Sequence, residues 1–293
     1  MNERLASRLA PGVFVLLWST GFIVARYATK DANALSFLAV RMVVATLVLL
    51  LLARATGEEV VPRGRIVPQV VVGIGMHAMY LGGVFLSIGH GLPSSISALI
   101  AALHPVVTPF LARVTLGEGL TRRQTAGMGL GLAGVLAVVI EHGGASHGVT
   151  TFGLLSMAVA VVGMAGGTLV QRRHGADTPL LGGTAVQYAT ASVIFFVAAP
   201  VFQGWRFEPT ARTLWSLAWA IGVLSIAAIL IMLWLLQRHA TARVSSLFFL
   251  TPAFSTVEAA VLFGERLGVL AVAGLVVATV GVGLATTGGS MTT

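Results

Sequence analysis

The sequence has no cysteine, a single lysine and only two aspartates in 293 residues. Without cysteine, the chain has no disulfide framework, no thiolate metal site and no cysteine nucleophile. The lysine, Lys30, lies outside any GxxxxGK pattern, which excludes the P-loop of an ATP-driven pump. Asp31 and Asp177 lie in connections between apolar segments, and no HExxH motif occurs. These absences predict a protein that is not an enzyme and uses neither a metal ion nor a cofactor.

Charged residues are also scarce, and apolar residues dominate. Charged residues make up 10% of the chain and hydrophobic residues 56%, whereas soluble domains carry roughly 25% charged residues. The apolar runs at 34–53 and 267–286 are each close to the ~20 residues that cross a ~30 Å hydrocarbon layer. The alternation of a membrane β-barrel is missing, so each segment must satisfy its backbone hydrogen bonds as a helix. The predicted fold is an all-α membrane protein.

Ten transmembrane helices are predicted when the chain is divided at its glycine, proline and charge clusters. They lie at about 10–28, 34–53, 66–88, 92–113, 123–140, 151–171, 182–202, 213–236, 241–262 and 267–286. Arg4 and Arg8, an apolar run from Val13 and the small residues at 32–34 imitate a cleavable secretory signal. The repeat described below requires this segment as a permanent helix, so we predict that it is retained.

The distribution of Lys and Arg predicts the orientation. Those in connections on the side of the N-terminus are Arg4, Arg8, Arg54, Arg63, Arg65, Arg113, Arg122, Arg123, Arg172, Arg173, Arg238 and Arg243. Those on the opposite side are Arg26, Lys30, Arg206, Arg212 and Arg266. Because positive residues favour the cytoplasmic side, both the N and C termini are predicted to be cytoplasmic.

The net charge of +8 does not predict nucleic-acid binding, because the arginines are scattered in twos and threes and form no single basic face. The predicted partners are the lipid bilayer and a small-molecule substrate, either amino acids or metabolites. A monomer is expected, with a dimer as the alternative.

One stretch of the sequence occurs twice. Residues 104–120, HPVVTPFLARVTLGEGL, return as TPAFSTVEAAVLFGERL at 251–267, an offset of 147 residues. Over the 34 positions from 105 to 138, ten residues are identical to their counterparts at this offset. The identities include Pro105 with Pro252, Gly117 with Gly264 and Glu118 with Glu265. Residues 1–146 and 147–293 are therefore predicted to be two five-helix repeats.

The odd number of helices makes the repeats inverted. The second repeat must begin on the opposite side of the bilayer from the first, so a pseudo-two-fold axis in the membrane plane relates them. Inverted repeats are typical of secondary transporters, whose central site opens to either side in turn. The repeat therefore predicts alternating access at a cavity near the midplane.

The pattern resembles the EamA family of the drug/metabolite transporter superfamily, over the whole chain. The resemblance rests on ten helices in two halves, each with proline in its fourth span and a Gly-Glu pair 12 to 13 residues later. Trp18-Ser19, Arg41 and the proline-rich fourth span are most similar to bacterial amino-acid exporters of the YddG type. The resemblance implies an inner-membrane exporter of aromatic and other neutral amino acids.

Arg41 and Glu258 are the candidate gate or ion pair. An arginine within a span costs about 2.5 to 3.5 kcal/mol unless it is paired or hydrated. By rise per residue, Arg41 lies roughly 4 to 5 Å and Glu258 about 9 Å to the outer side of the midplane. Arg41 is accordingly predicted to form an outer gate or a substrate-carboxylate site. The structural alternative is a static pair, or an arginine that reaches the outer headgroups.

The candidate substrate cavity consists of polar and aromatic residues predicted near the midplane. They are Trp18, Ser19, His77, Tyr80, His104 and Thr251. An aromatic pocket with a few polar groups suits a neutral amino acid or another amphipathic small molecule. The alternative for each aromatic residue is helix packing.

Three prolines are candidate helix hinges: Pro105, Pro109 and Pro252. Each removes a backbone hydrogen bond inside a helix and can kink it, so they are expected either to act in rocking or to shape a static bend. Glu118 and Glu265 precede the fifth and tenth spans, where a carboxylate complements the positive end of a helix dipole.

Residues 129–134 match the GxGxxG nucleotide fingerprint, but they lie inside a span with no preceding strand. A close-packing face of small residues is the favoured interpretation.

The predicted function is export of aromatic and other neutral amino acids or related metabolites, by uniport. The alternatives are a passive channel and a proton-coupled multidrug or metabolite antiporter. Small multidrug transporters carry an acidic residue in their first helix, where this chain has Trp18, Ser19 and Thr20. Only Glu258 could serve as a carboxylate within a span, so the sequence favours uniport.

Overall fold

The computed structural model describes residues 3–59, 61–145, 149–175, 178–228, 231, 250–265 and 268–287, and these residues are almost entirely helical. The helices are α1 (Glu3–Asp31), α2 (Ala34–Thr56), α3 (Arg63–Val72), π1 (Gly73–Met79), α4 (Tyr80–Gly89), α5 (Ser94–Ala101), α6 (His104–Leu116), α7 (Arg122–Ala145), α8 (Thr151–His174), α9 (Leu180–Phe202), α10 (Ala211–Trp219), π2 (Ala220–Ala227), α11 (Thr251–Phe263) and α12 (Val269–Thr287). The prediction of an all-α protein is confirmed.

Seven helical stretches of the described chain are long and apolar enough to cross a membrane. They are Leu9–Asp31, Ala34–Thr56, Arg63–Gly89, Ser94–Leu116, Arg122–Glu141, Thr151–His174 and Leu180–Phe202. Three shorter apolar helices follow, at Ala211–Ala227, Thr251–Phe263 and Val269–Leu284. The predicted eighth and ninth spans lie partly outside the described residues, as do Asp177, Arg238, Arg243 and Arg266. The count of ten spans therefore stays a prediction.

The chain forms two compact units, and each takes helices from both halves of the sequence. The first unit comprises Met1–Val24, Gly91–Thr151 and Ala218–Thr293, and the second comprises Ala25–His90 and Phe152–Leu217. These units are not the predicted repeats 1–146 and 147–293. A repeat is a relation of sequence and symmetry rather than of compactness, so that division stays a prediction.

Glycines determine how closely α7 and α12 pack in the first unit. A Cβ at Gly134 would meet the backbone of Gly274, and a Cβ at Gly281 would meet the backbone of Gly127. These positions have room only for a hydrogen atom, so the two helix backbones are in direct contact. Gly131 and Gly134 of the GxGxxG match thus contribute to helix packing, as small-residue faces do in membrane helices.

Carboxylates satisfy the free N–H groups at the starts of three helices. Glu265 accepts hydrogen bonds from the backbone N–H groups of Ser94 and Ser95, at 3.1 and 3.2 Å, and from the Ser95 hydroxyl at 2.6 Å. A carboxylate at this position also complements the helix dipole. Glu265 thus complements a helix dipole as expected, but the helix start that it reaches here is that of α5, which the sequence did not predict.

Other glutamates serve the remaining two helix starts. Glu141 accepts hydrogen bonds from the N–H groups of Leu270 and Ala271 at the start of α12. In the second unit, Glu58 does the same at α9, where Leu181 and Gly182 donate at 3.0 and 2.8 Å. Each carboxylate joins two segments that are distant in the sequence.

Candidate functional site

Polar side chains within the apolar helices form one cluster in each unit. In the second unit, Arg41 of α2 is 5% exposed, and it is the only charged residue among those described that is so deeply buried. Arg41 lies within electrostatic range of Tyr188 and His77. A cation, an imidazole and a phenol therefore share one neighbourhood inside this unit.

The π-helix π1 carries His77 into this cluster. A π-helix has i→i+5 hydrogen bonds and is rare outside functional sites, and here the N–H of Tyr80 donates to the carbonyl of Gly75. A Cβ at Gly73 would meet the backbone of Gln187 at 2.6 Å. The absence of side chains at the glycines therefore lets π1 lie directly against its neighbouring helices.

His77 ends a chain of buried amide side chains. Its Nε2 lies 2.9 Å from Oε1 of Gln187. The Gln187 Nε2 donates to Oε1 of Gln69 at 2.5 Å and to Oε1 of Gln171 at 3.3 Å. The Gln69 Nε2 donates in turn to the Thr178 hydroxyl oxygen at 3.4 Å. These groups connect the middle of π1 with the loop between α8 and α9.

Aromatic rings complete the cluster of the second unit. The Tyr188 ring packs edge-on against the His77 ring, with centroids 4.6 Å apart and an interplanar angle of 81°. Tyr188 is 3% exposed, whereas His77 and Tyr80 are half-buried. Of these three rings, His77 and Tyr80 therefore keep the larger exposed fractions.

In the first unit, the structure brings Ser19 and Glu258 together. The Ser19 hydroxyl lies 2.6 Å from Oε1 of Glu258 and 2.9 Å from the carbonyl of Leu16. Ser255 donates to the Ser19 carbonyl at 3.0 Å, which ties α11 to α1 at this point. Among the described residues, Oε2 of Glu258 is buried and has no hydrogen-bond partner.

Two further candidates, Trp18 and Thr251, lie in the same helices, α1 and α11. Trp18 packs against Phe14 with ring centroids 5.6 Å apart. The Trp219 indole donates to the Thr20 hydroxyl at 2.9 Å. The Thr251 hydroxyl is buried and forms no hydrogen bond within the described part of the chain. This cluster contains one carboxylate among hydroxyl and indole groups.

The fourth span is interrupted just before the first proline. Helix α5 ends at Ala101, and α6 begins at His104, so that Pro105 lies in the first turn of a new helix. The His104 ring donates from Nδ1 to the carbonyl of Ala101 at 3.0 Å, across the break.

In the second copy of the motif, α11 likewise begins at Thr251 with Pro252 in its first turn. A proline costs little in a first turn, because the N–H that it lacks would be free there in any case. Of the three candidate hinge prolines, only Pro109 lies within the body of a helix. Pro105 and Pro252 therefore lie in the first turns of their helices, and the hinge role of the three prolines stays a prediction.

The candidate residues divide between the two units. The first unit contains Trp18, Ser19, His104, Thr251 and Glu258, and the second contains Arg41, His77 and Tyr80. The proposed ion pair between Arg41 and Glu258 joins residues of different units and stays a prediction.

The sequence interpretation missed Gln69, Gln171 and Gln187. A polar residue inside an apolar span is rare and marks function, and this rule, applied to Arg41, would have selected Gln187 as well. The partners of Gln187 could not be predicted, because Gln69 and Gln171 lie near helix ends where polar residues are common.

The fold and these clusters define a class, namely multi-pass helical membrane proteins that keep polar groups inside their spans. Within that class, the chain belongs to the EamA-like transporter family, whose model matches residues 12–140 and again residues 151–287. The protein is a membrane transporter rather than an enzyme, and it is a multi-pass protein of the cell inner membrane. Membrane embedding and a small-molecule substrate follow from this membership.

The chain is also similar to individual proteins of known or inferred activity. It is 25% identical over 264 residues to a probable amino-acid metabolite efflux pump of Escherichia coli strain K12, covering 86% of this chain and 85% of that protein. It is 31% identical over 227 residues to an S-adenosylmethionine/S-adenosylhomocysteine transporter of Chlamydia trachomatis serovar D, covering 73% and 68%. A protein of known crystal structure matches over 96% of both chains with a TM-score of 0.66; at 18% identity this likeness concerns the fold alone.

Proposed function

We propose that the protein exports aromatic and other neutral amino acids, or related metabolites, by alternating access at a midplane cavity. The observation that carries the proposal is the interrupted fourth span, α5 and α6, whose break is followed by His104 and Pro105. Discontinuous helices with polar groups at mid-membrane depth are the usual binding elements of secondary transporters. Thr251 and Pro252 occupy the equivalent positions at the start of α11, 147 residues later.

Matching elements at this offset support the predicted inverted repeat. The π-helix π1 begins at Gly73 and π2 at Ala220. Helices α6 and α11 have equal lengths, and each ends at a glycine with a left-handed backbone, Gly117 with φ 71° and Gly264 with φ 67°.

The glycine contacts between α7 and α12 follow the same offset. Gly134 meets Gly274, and the equivalent pair Gly281 and Gly127 also meets. Such reciprocal pairs are what a two-fold axis generates. The pairs support two equivalent halves that can exchange conformations.

The substrate class rests on chemistry that the similar transporters have in common. The relatives are named for amino-acid metabolites and for S-adenosylmethionine and its homocysteine counterpart. Amino acids, S-adenosylmethionine and S-adenosylhomocysteine share an α-amino acid group, with one ammonium and one carboxylate. In the second unit, the half-buried His77 and Tyr80 are the candidates for the amino group and for an aromatic side chain. Arg41 is 5% exposed and could bind the carboxylate only in a conformation that uncovers it.

Flux into proteoliposomes tests the proposed function. We expect saturable uptake of a labelled aromatic amino acid, with counter-flow, that an imposed pH gradient does not change. Alanine at Trp18, His77 or Tyr80 should reduce this flux. Unchanged flux in all three variants would remove these residues from the site. A wild-type protein that moves no amino acid, but moves protons when drugs are added, would overturn the proposal.

One observation favours the alternative, a proton-coupled antiporter. The Ser19 hydroxyl has one hydrogen but two acceptors within reach, the carbonyl of Leu16 and Oε1 of Glu258. Both contacts are satisfied when Glu258 is protonated and donates to Ser19. Glu258→Gln places an amide donor there and removes the titration. Loss of proton-driven flux with counter-flow retained in this variant would establish the alternative, whereas identical behaviour of variant and wild type would exclude it.

A further inference from the structure

In the chain of amide side chains of the second unit, each hydrogen bond has one possible donor and one possible acceptor. The hydrogen bonds of Thr178 determine which atom is which. The Thr178 hydroxyl donates its single hydrogen to the carbonyl of His174 at 3.2 Å. Toward Gln69 the Thr178 oxygen can therefore only accept a hydrogen. The Gln69 atom that faces it, 3.4 Å away, must be the amide nitrogen.

Each following hydrogen bond is determined by the one before it. With its nitrogen turned to Thr178, Gln69 presents Oε1, which accepts from the nitrogen of Gln187. The second hydrogen of that nitrogen goes to Oε1 of Gln171. Gln187 is left with Oε1 directed at Nε2 of His77. Since an amide oxygen only accepts, the imidazole must carry its hydrogen on Nε2.

The surroundings of Gln69 and Gln187 prevent their amide groups from rotating so that oxygen and nitrogen exchange places. Gln69 is 1% exposed and Gln187 is 6% exposed, so water does not compete for their amide groups. Reversing one amide would place two oxygens or two nitrogens opposite each other, and an unmatched buried polar group costs about 1 to 3 kcal/mol. The backbone of Gln187 is held against π1 at Gly73, which fixes the distance between the two helices.

We propose that this relay, Thr178–Gln69–Gln187, holds His77 as the Nε2–H tautomer so that Nδ1 is the acceptor for the amino group of the transported solute. The inference rests on the proposed function for the identity of the solute, and it assigns the contact atom. Nδ1 forms no hydrogen bond to any other described residue, and His77 is half-buried. A neutral imidazole with a fixed lone pair accepts from an ammonium, whereas the opposite tautomer would present N–H and repel it. Gln69 and Gln187 are positioning residues, since they act through His77.

Nitrogen NMR of ¹⁵N-histidine-labelled protein in lipid nanodiscs tests the tautomer. The signal of His77 is assigned by its loss in His77→Phe, and the shift of each ring nitrogen shows which one carries the hydrogen. We expect Nε2–H in the wild type. Gln69→Glu keeps an oxygen that accepts from Gln187, so the tautomer should persist, whereas Gln69→Met has no such acceptor and should give a mixture. A wild-type Nδ1–H signal, or equal spectra for the two variants, would overturn the relay.

Binding to the same nanodiscs tests the contact with the solute. The probes are a neutral aromatic amino acid and its analogue without the amino group. We expect His77→Phe to weaken binding of the amino acid by at least about tenfold and to leave binding of the analogue unchanged. Equal effects on both probes would overturn the contact while leaving the proposed function intact. A wild-type protein that binds no amino acid would overturn the proposed function and the contact together, while the spectrum would still report the tautomer.

Discussion

At the scale of single residues, the pair formed by Ser19 and Glu258 gives a direct prediction about stability. Ser19→Ala removes the hydroxyl 2.6 Å from Oε1 of Glu258 and leaves a carboxylate in which one oxygen is already buried without a partner among the described residues. Loss of a partner to a buried polar group costs about 1 to 3 kcal/mol. The free energy of unfolding in detergent should fall by that amount.

Ser192→Ala is the matched control for this measurement. Ser192 is also buried, at 8% exposure against 0% for Ser19, but among the described residues its hydroxyl bonds only to the carbonyl of Ala189 in its own helix. Its replacement should change stability by a smaller amount. An equal loss in the two variants would contradict a specific role for the contact between Ser19 and Glu258.

The sequence alone predicted several of these residues but not the contacts between them. Arg41, Ser19 and Glu258 were found because each is polar within an apolar segment, which is costly in lipid. The bond between Ser19 and Glu258 was not predicted, because it joins helices 239 residues apart and depth along a span does not tell which faces meet. The orientation of the amide groups depends on which acceptor receives the hydroxyl hydrogen of Thr178. A pattern of residue types does not predict that acceptor.

At the scale of helices, glycine pairs provide a test of close packing. In Gly134→Ala, the new methyl group would meet the backbones of Gly274 and Ala278. Overpacking of this kind typically costs about 1 to 3 kcal/mol. The melting temperature of the purified protein should therefore fall.

Gly129→Ala separates this effect from helix propensity. It lies in the same helix α7, and a Cβ there would meet nothing within 4 Å. Both variants gain the same propensity of about 1 kcal/mol, so only packing distinguishes them. A Gly134→Ala protein as stable as Gly129→Ala would show that α7 and α12 are not packed as described.

The helices also show where a periodic pattern stops being informative. The long apolar segments were predicted well, because length and hydropathy determine a span. The prolines were expected to lie within helices, but Pro105 and Pro252 lie in the first turns of α6 and α11. The π-helices were not predicted, since one additional residue per turn does not change an almost uniformly apolar composition.

At the scale of the whole molecule, the predicted orientation in the membrane can be tested with single introduced cysteines, because the chain has none of its own. Thr121 and Pro209 are both exposed in connections between helices. With cytoplasmic termini, Thr121→Cys should face the cytoplasm and Pro209→Cys the outer side. A membrane-impermeant maleimide should therefore label only Pro209→Cys in intact cells, and both variants after permeabilisation. Labelling of Thr121→Cys in intact cells would contradict the predicted orientation.

The architecture of the whole chain was partly predictable. The family model matches the chain twice, at residues 12–140 and 151–287, close to the halves proposed from the offset of 147. The compact units follow a different division, in which α7 packs with α12 and α2 with α9. A repeat in sequence reveals equivalent segments, whereas the packing partner of each segment depends on its buried face.

The π-helix π1 determines which side chains can meet. Gln69 and His77 are eight residues apart, and in an unbroken α-helix at about 100° per residue their directions would differ by about 80°. The wider turns of π1, from Gly73 to Met79, rotate less per residue and bring both side chains toward one face, where Gln187 bonds to each. If the same eight residues formed a continuous α-helix, the imidazole would point about 80° away from the Gln69 amide, so the wider turns of π1 keep the two ends of the relay on one face.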